Sequence, residues 1–287
     1  MTVEAFPAFA KPEIAPSGPR REAFYRHTLT VRLTHWINAL ALSLLLMSGL
    51  QIFNAHPELY WGQKGQDGDL FLLGLHAMNG PHGMRGVTTI LGHSFDTTGF
   101  LGASSMAGHI VARGWPSWLT VPSWQDLATG RRWHFFFAWV LVLNGLVYWI
   151  WTVVSRHLSR DLWPTLGDLR NIPRDVVDHL KNKHPRGEAA KRYNVLQKLA
   201  YLSVVLVLIP GMVLTGLTMS PGMDTVLPGL LQLFGGRQSA RTIHFCLASL
   251  LVLFFIVHIA QVILAGPINE MRSIITGRFA IPPEHEA

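Results

Sequence analysis

Two histidines carry the first chemical signal in this chain. His244 and His258 lie fourteen residues apart within 242–265 (TIHFCLASLLVLFFIVHIAQVILA), a 24-residue stretch without Asp, Glu, Lys or Arg. At about 100° per residue, fourteen residues return to within about 40° of the starting direction, and at about 1.5 Å rise they span about 21 Å. On a helix both imidazoles therefore project from one face, near opposite ends of a segment that exceeds the roughly 20 residues a bilayer crossing takes. A polar ring in hydrocarbon demands a partner. A hydrogen bond to a neighbouring helix would serve. So would haem iron, for which imidazole is a common axial ligand. Two further histidines open apolar runs: His35 in LTHWINALALSLLLMSGLQIF (33–53) and His134 in WHFFFAWVLVLNGLVYWIWTVV (133–154).

Four apolar helices must position these rings, and they are expected over 33–53, 133–154, 195–219 and 242–265. The third has no histidine and contains Pro210-Gly211, where a kink is expected. Of the 287 residues 49% are hydrophobic and only 14% charged, with a mean hydropathy of +0.27. That balance is too apolar for an ordinary soluble domain. The expected fold class is therefore an all-α integral membrane protein, a four-transmembrane-helix bundle with a long outer loop, 54–132, between helices one and two. Residues 1–25, with Pro7, Pro12, Pro16 and Pro19, read as a flexible cytoplasmic tail. Residues 26–280 read as the membrane domain and 281–287 as a second tail. No secretory signal pattern is seen at the start.

The net charge of +7 reads as topology rather than nucleic-acid binding, because no Lys/Arg-rich repeat accompanies it. Sixteen Lys and Arg lie before helix one, in the 155–194 loop and after helix four, against seven in the 54–132 loop and at the approach to helix four. The positive-inside rule then puts both termini and the 155–194 loop in the cytoplasm and the 54–132 loop in the periplasm of a bacterial inner membrane. Chain direction sorts the histidines by depth. His35 and His258 fall near the cytoplasmic face, and His134 and His244 near the outer face. Each pair could clamp one haem, and two stacked haems would give an electron path across the membrane. An iron held by two histidines has no free axial position and suits electron transfer better than oxygen chemistry. The chain has one cysteine, Cys246, and no C-x-x-C-H, so any haem is a non-covalent b haem and no cluster or internal disulfide is available. Cys246 itself reads as a small packing residue. Gly49, Gly145, Gly211 and Gly216 would let a flat macrocycle approach, or simply let helices pack. Arg241, one turn before His244, could pair with a haem propionate or anchor at the interface.

R-L-T-H-W at 32–36, W-H at 133–134 and the His244/His258 spacing resemble the di-haem b-type cytochrome subunits of membrane-bound formate dehydrogenases and nickel-iron hydrogenases. This is the bacterial cytochrome b561/nickel-hydrogenase group, and the resemblance covers about residues 25 to 280. The run R-Y-N-V-L-Q-K at 192–198 is similar to the stretch of the formate dehydrogenase gamma subunit that borders its quinone pocket. The resemblance thus implies Asn194 and Gln197 as quinone contacts beside the His35/His258 haem, whereas the residues alone equally suit a helix cap. The outer loop departs from those subunits. F-N-A-H-P-E-L-Y-W-G at 53–62 and W-P-S-W-L-T-V-P-S-W-Q-D-L-A-T-G-R-R-W-H at 115–134 are similar to thiosulfate-reductase-type cytochromes b. That likeness implies a periplasmic molybdopterin oxidoreductase partner of the sulfite-oxidase type. Trp115, Trp118, Trp124 and Trp133 fit an interfacial aromatic belt. The loop histidines His56, His76, His82, His93 and His109 match no metal-ligand spacing. The expected function is electron exchange between the membrane quinone pool and that partner. The alternatives are a stand-alone superoxide- or ferric-reducing cytochrome and a haem-free anchor or transporter.

Overall fold

A computed structural model describes residues 23–66, 69–81, 83–181 and 194–281. Four helices long and apolar enough to cross a membrane run over Leu29–Phe53, Leu127–Val154, Val195–Thr218 and Arg237–Ala265, and are called helices one to four. Helices one, two and four begin earlier than their apolar runs, because caps rather than hydropathy set where a helix starts. Thr28 Oγ1 accepts the Val31 N–H at 3.4 Å. Asp126 accepts the Thr129 N–H at 2.9 Å. Helix four is capped from a distance: the Gly62 carbonyl accepts the N–H groups of both Gln238 and Ser239, each at 3.1 Å. Gly236 precedes it with φ 120°, and a Cβ there would sit 2.5 Å from that carbonyl oxygen, so only glycine allows the approach.

Helix three starts at Val195 and ends at Thr218, one residue short of the expected end. It is not broken at Pro210-Gly211. Proline lacks an N–H and its ring crowds the carbonyl four residues back. A wider π turn over Val204–Leu208 takes up that misfit, and the helix runs on through the proline.

Close packing joins helix one to helix two and helix three to helix four. Ala41, Ser48 and Ala240 are fully buried in these seams, where small residues let backbones approach. Trp139, Val147, Ile150, Leu253, Phe255 and Ile256 point outward and are more than half exposed, the surface a lipid-facing bundle presents. Cys246 is also exposed on helix four, so it does not pack the interior.

Residues 23–25 are not tail. They form β1 (Ala23–Tyr25), which pairs antiparallel with β8 (Arg278–Ala280). Arg26 Nη1 reaches Glu270 at 3.4 Å and stacks over Phe279, tying the two chain ends together at one end of the bundle, the terminal side. The expected tails at 1–22 and 282–287 lie outside the described residues.

The long connection after helix one is not an irregular loop. Short strands β2 (Glu58–Leu59), β3 (Leu73–Gly80), β4 (Gly83–Ile90) and β5 (His93–Asp96) make an antiparallel sheet. A hairpin follows, β6 (Ala103–Met106) with β7 (His109–Ala112). This insertion ends at Asp126, since 127–132 belong to helix two. Its small core, Phe53, Leu59 and Leu75, is packed by Trp115 and by Phe245 of helix four. Trp115 therefore serves the core rather than an interfacial belt, whereas Trp118, Trp124 and Trp133 remain exposed. Arg113, 3% exposed, ties the insertion to helix one. Its guanidinium donates to Gln51 Oε1 (2.9 Å), Thr120 Oγ1 (2.5 Å), the Ser123 and Trp115 carbonyls (2.7 and 2.8 Å) and Met106 Sδ (3.7 Å). Burial lowers its pKa from the ordinary arginine value. Between helices two and three, Leu166–Arg170 and Ile172–Leu180 are helical, and 182–193 lie outside the described residues.

Candidate functional site

The extended helix starts move each histidine about two turns inside its helix. His35 is the seventh residue of helix one, His134 and His244 the eighth of helices two and four, and His258 the eighth from the end of helix four. His35 faces His258 with ring centres 6.3 Å apart and planes at 57°. His134 faces His244, also at 6.3 Å, with planes at 61°. The first pair lies on the terminal side, the second beside the insertion. Both pairs bridge helix four to the helix one–two hairpin, to which helix four is not closely packed along its length.

That common distance fits a shared metal. An imidazole nitrogen binds a metal at about 2.0–2.1 Å and the ring centre lies about 1.2 Å behind it, so rings on opposite sides of one ion have centres about 6.4–6.6 Å apart, within about 0.3 Å of the 6.3 Å seen in both pairs. Among the described residues no group of three or more His, Cys, Asp or Glu is arranged to hold a metal ion, so two imidazoles per site are what the bundle offers.

Two hydroxyl residues that the sequence reading missed support the insertion-side pair. Ser48 Oγ lies 3.1 Å from His134 Nδ1, and Thr215 Oγ1 lies 2.9 Å from His244 Nδ1. Each is followed by a glycine, Gly49 or Gly216, whose added Cβ would come to 3.4 or 3.5 Å of the same ring's Cε1. The signal was present as S-G-L at 48–50 on helix one and T-G-L at 215–217 on helix three. On the terminal side, His35 Nδ1 is buried without a hydrogen-bond partner among the described residues. His35 packs edge-on against Trp36, and His258 stacks on Phe254.

The other expected residues fall as follows. Gly211 is a helix-packing glycine, since a Cβ would lie 2.9 Å from Leu247 Cδ1, whereas Gly145 faces open space. Arg241 donates to the His56 carbonyl and lies over the Phe53 ring, 5.4 Å from its centre. Asn194 and Gln197 form a reciprocal capping box at the start of helix three. Asn194 Oδ1 accepts the Gln197 N–H at 2.8 Å, and Gln197 Oε1 accepts the Asn194 N–H at 3.3 Å. Of the loop histidines, His56 and His76 flank Glu58, whose carboxylate also accepts a hydrogen bond from the Tyr60 hydroxyl. His93 and His109 are exposed, and His82 lies outside the described residues. A small cleft between helices two and three is lined by Tyr148, Thr152, Tyr201 and Leu202. At the mouth of the terminal-side pair, burial and then Arg26, His35, His157 and Arg32 push the His27 pKa down to about 4.

Paired imidazoles between membrane helices, in a chain without cysteines for covalent attachment, define the class of b-type membrane cytochromes. The family model described as prokaryotic cytochrome b561 matches residues 26–277, and the chain belongs to that family. It is thus a membrane haem protein of electron transfer. A curated relative from Azospira oryzae (strain ATCC BAA-33 / DSM 13638 / PS) is 28% identical over 244 residues, covering 85% of this chain and 93% of the relative. That relative is described as a protein-methionine-sulfoxide reductase subunit, YedZ1. No solved structure matches.

Proposed function

We propose that this chain is a di-haem cytochrome b that carries electrons between the quinone pool and a periplasmic oxidoreductase. The observation that carries the reading is the equal 6.3 Å separation of two imidazole pairs at two levels of one bundle. His35 with His258 would hold one haem and His134 with His244 the other. Each haem, when bound, supplies a one-electron iron couple. With one histidine of each pair on either side of the iron, the two imidazoles would leave it no site for oxygen or substrate. The lipid-facing helices keep water from the path between the two levels. Arg241, one turn before His244, would pair with a propionate on giving up the His56 carbonyl.

The excess of Lys and Arg on the terminal side supports placing both termini in the cytoplasm and the insertion in the periplasm. On that orientation Asn194 and Gln197 start helix three at the cytoplasmic face, on the side of the His35/His258 pair. The capping box engages their side-chain oxygens, and it is their amide N–H groups that would donate to a quinone oxygen. The Azospira relative supports a partner that reduces methionine sulfoxide in proteins, with electrons then running outward from quinol. A molybdopterin centre in that partner is the expectation drawn from the resemblance of the outer segment.

The test is a haem count on the purified chain, followed by anaerobic mixing with a quinol. Two b haems per chain, both reduced by quinol, are expected. One haem or none rejects the reading.

A further inference from the structure

We propose that Ser48 and Thr215 are positioning residues that hold His134 and His244 in one tautomer and lower the reduction potential of the centre between them. This rests on the haem reading above. Its basis is a proton count. Both hydroxyls are fully buried. A hydroxyl has one proton. Ser48 Oγ places its own on the Leu44 carbonyl at 2.6 Å, and Thr215 Oγ1 on the Gly211 carbonyl at 2.7 Å. Toward the rings, 3.1 and 2.9 Å away, these oxygens can then only accept. Each hydroxyl thus calls for an N–H at the Nδ1 it faces. The proton is assigned from this network. It leaves Nε2 of both rings with the free lone pair that a metal requires.

The same arrangement is built twice, on different helices, from a hydroxyl residue followed by glycine. A hydroxyl that already donates is a better acceptor, since hydrogen bonds in series polarise one another. An Nδ1–H bond of this kind fixes ring orientation and raises the basicity of the metal-binding nitrogen. Stronger donation stabilises ferric over ferrous iron and so lowers the potential. His35 has no such bond among the described residues, so the effect belongs to the insertion-side centre alone.

The experiment uses the full chain in detergent, with haem content measured before an anaerobic redox titration. The insertion-side signal is identified in a His35→Ala background. Outer-shell changes at metal sites typically cost 10–100-fold. A tenfold loss of ferric preference in the double variant Ser48→Ala/Thr215→Val corresponds to a rise of about 59 mV for a one-electron couple. That rise, with the other potential unmoved and with Ser48→Thr/Thr215→Ser returning toward the original value, supports the assignment. So does loss of the insertion-side haem in the first double variant when the second retains it. Two haems with unmoved potentials overturn the assignment and leave the haem reading intact. Equal haem loss in both double variants shows a packing role and also overturns it. A wild-type chain without haem overturns both.

Discussion

Arg113→Lys tests how the insertion is fastened to the bundle. All five N–H donors of Arg113 are engaged, and every partner is neutral. Lysine keeps the charge but has three donors on one nitrogen and cannot span the same fork. At least two buried acceptors lose their donor, with Gln51 Oε1 and Thr120 Oγ1 the first candidates, as both meet the far nitrogen Nη2. An unpaired buried acceptor costs about 1–3 kcal/mol, so the variant should lose about 2–6 kcal/mol of local stability. The insertion is the size of a small domain, for which 1 kcal/mol moves a melting point by about 4–8 °C. Its opening should therefore fall by about 8 °C or more. The assay is thermal limited proteolysis in detergent, with cleavage mapped within 54–126 and bundle integrity followed by haem absorbance. Cleavage at the wild-type temperature in Arg113→Lys would refute the argument that the fork geometry, rather than the charge, fastens the insertion.

Other expectations follow from the same geometry. His35→Ala and His258→Ala should abolish one redox transition, and His134→Ala and His244→Ala the other, as read by potentiometric titration. If His35→Ala and His258→Ala abolished different transitions, the pairing would be wrong. Asn194→Ala should cost about 1 kcal/mol from its cap. If the quinone proposal holds, quinol-dependent haem reduction should also slow in Asn194→Ala and Gln197→Ala with haem content unchanged, whereas normal kinetics in both would remove these residues from the site. His27 titrates near 4 in the fold against about 6.5 in an unfolded chain, so below pH 6.5 the unfolded state binds the extra proton. Stability should then fall between about pH 6.5 and 4 by up to about 3 kcal/mol, and the fall should disappear in His27→Gln. Denaturation midpoints against pH for the two proteins measure this.

The four histidines were legible because a helix carries register rigidly across the bilayer, so fourteen residues on one strand of sequence fix both direction and depth. Chain direction then sorts His35 with His258 and His134 with His244 before any contact is known. That these pairs hold haem is our proposal; that the rings face one another is geometry. Helix ends were less legible, since the cap of helix four is the Gly62 carbonyl, about 175 residues away in the chain, and no local pattern announces it. Ser48 and Thr215 were hidden for another reason. Hydroxyl residues in apolar helices ordinarily satisfy themselves on the carbonyl four back, and these two do so as well. Only the fold reveals the second bond. The sheet of the insertion escaped because its strands are two to eight residues long and glycine-punctuated, weak patterns beside four long apolar runs.

The twice-built hydroxyl–glycine arrangement has a consequence for symmetry. Exchanging helix one with three and two with four matches Ser48 to Thr215 and His134 to His244, the correspondence that an approximate two-fold relation of the two helix pairs would give. Applied to the terminal-side pair, the same exchange carries His258, fourteen residues from His244, onto Tyr148, fourteen residues from His134. It carries His35, thirteen residues before Ser48, onto Leu202, or onto Tyr201 once the extra residue of the π turn is allowed for. Tyr148, Tyr201 and Leu202 are neighbours, and together they line the cleft between helices two and three. The relation is thus obeyed at one level and broken at the other, where tyrosines stand in for imidazoles. A fully symmetric bundle would present a third imidazole pair. Among the described residues this one presents two, both carried by helix four, so the di-haem path proposed above would be one file rather than a fork.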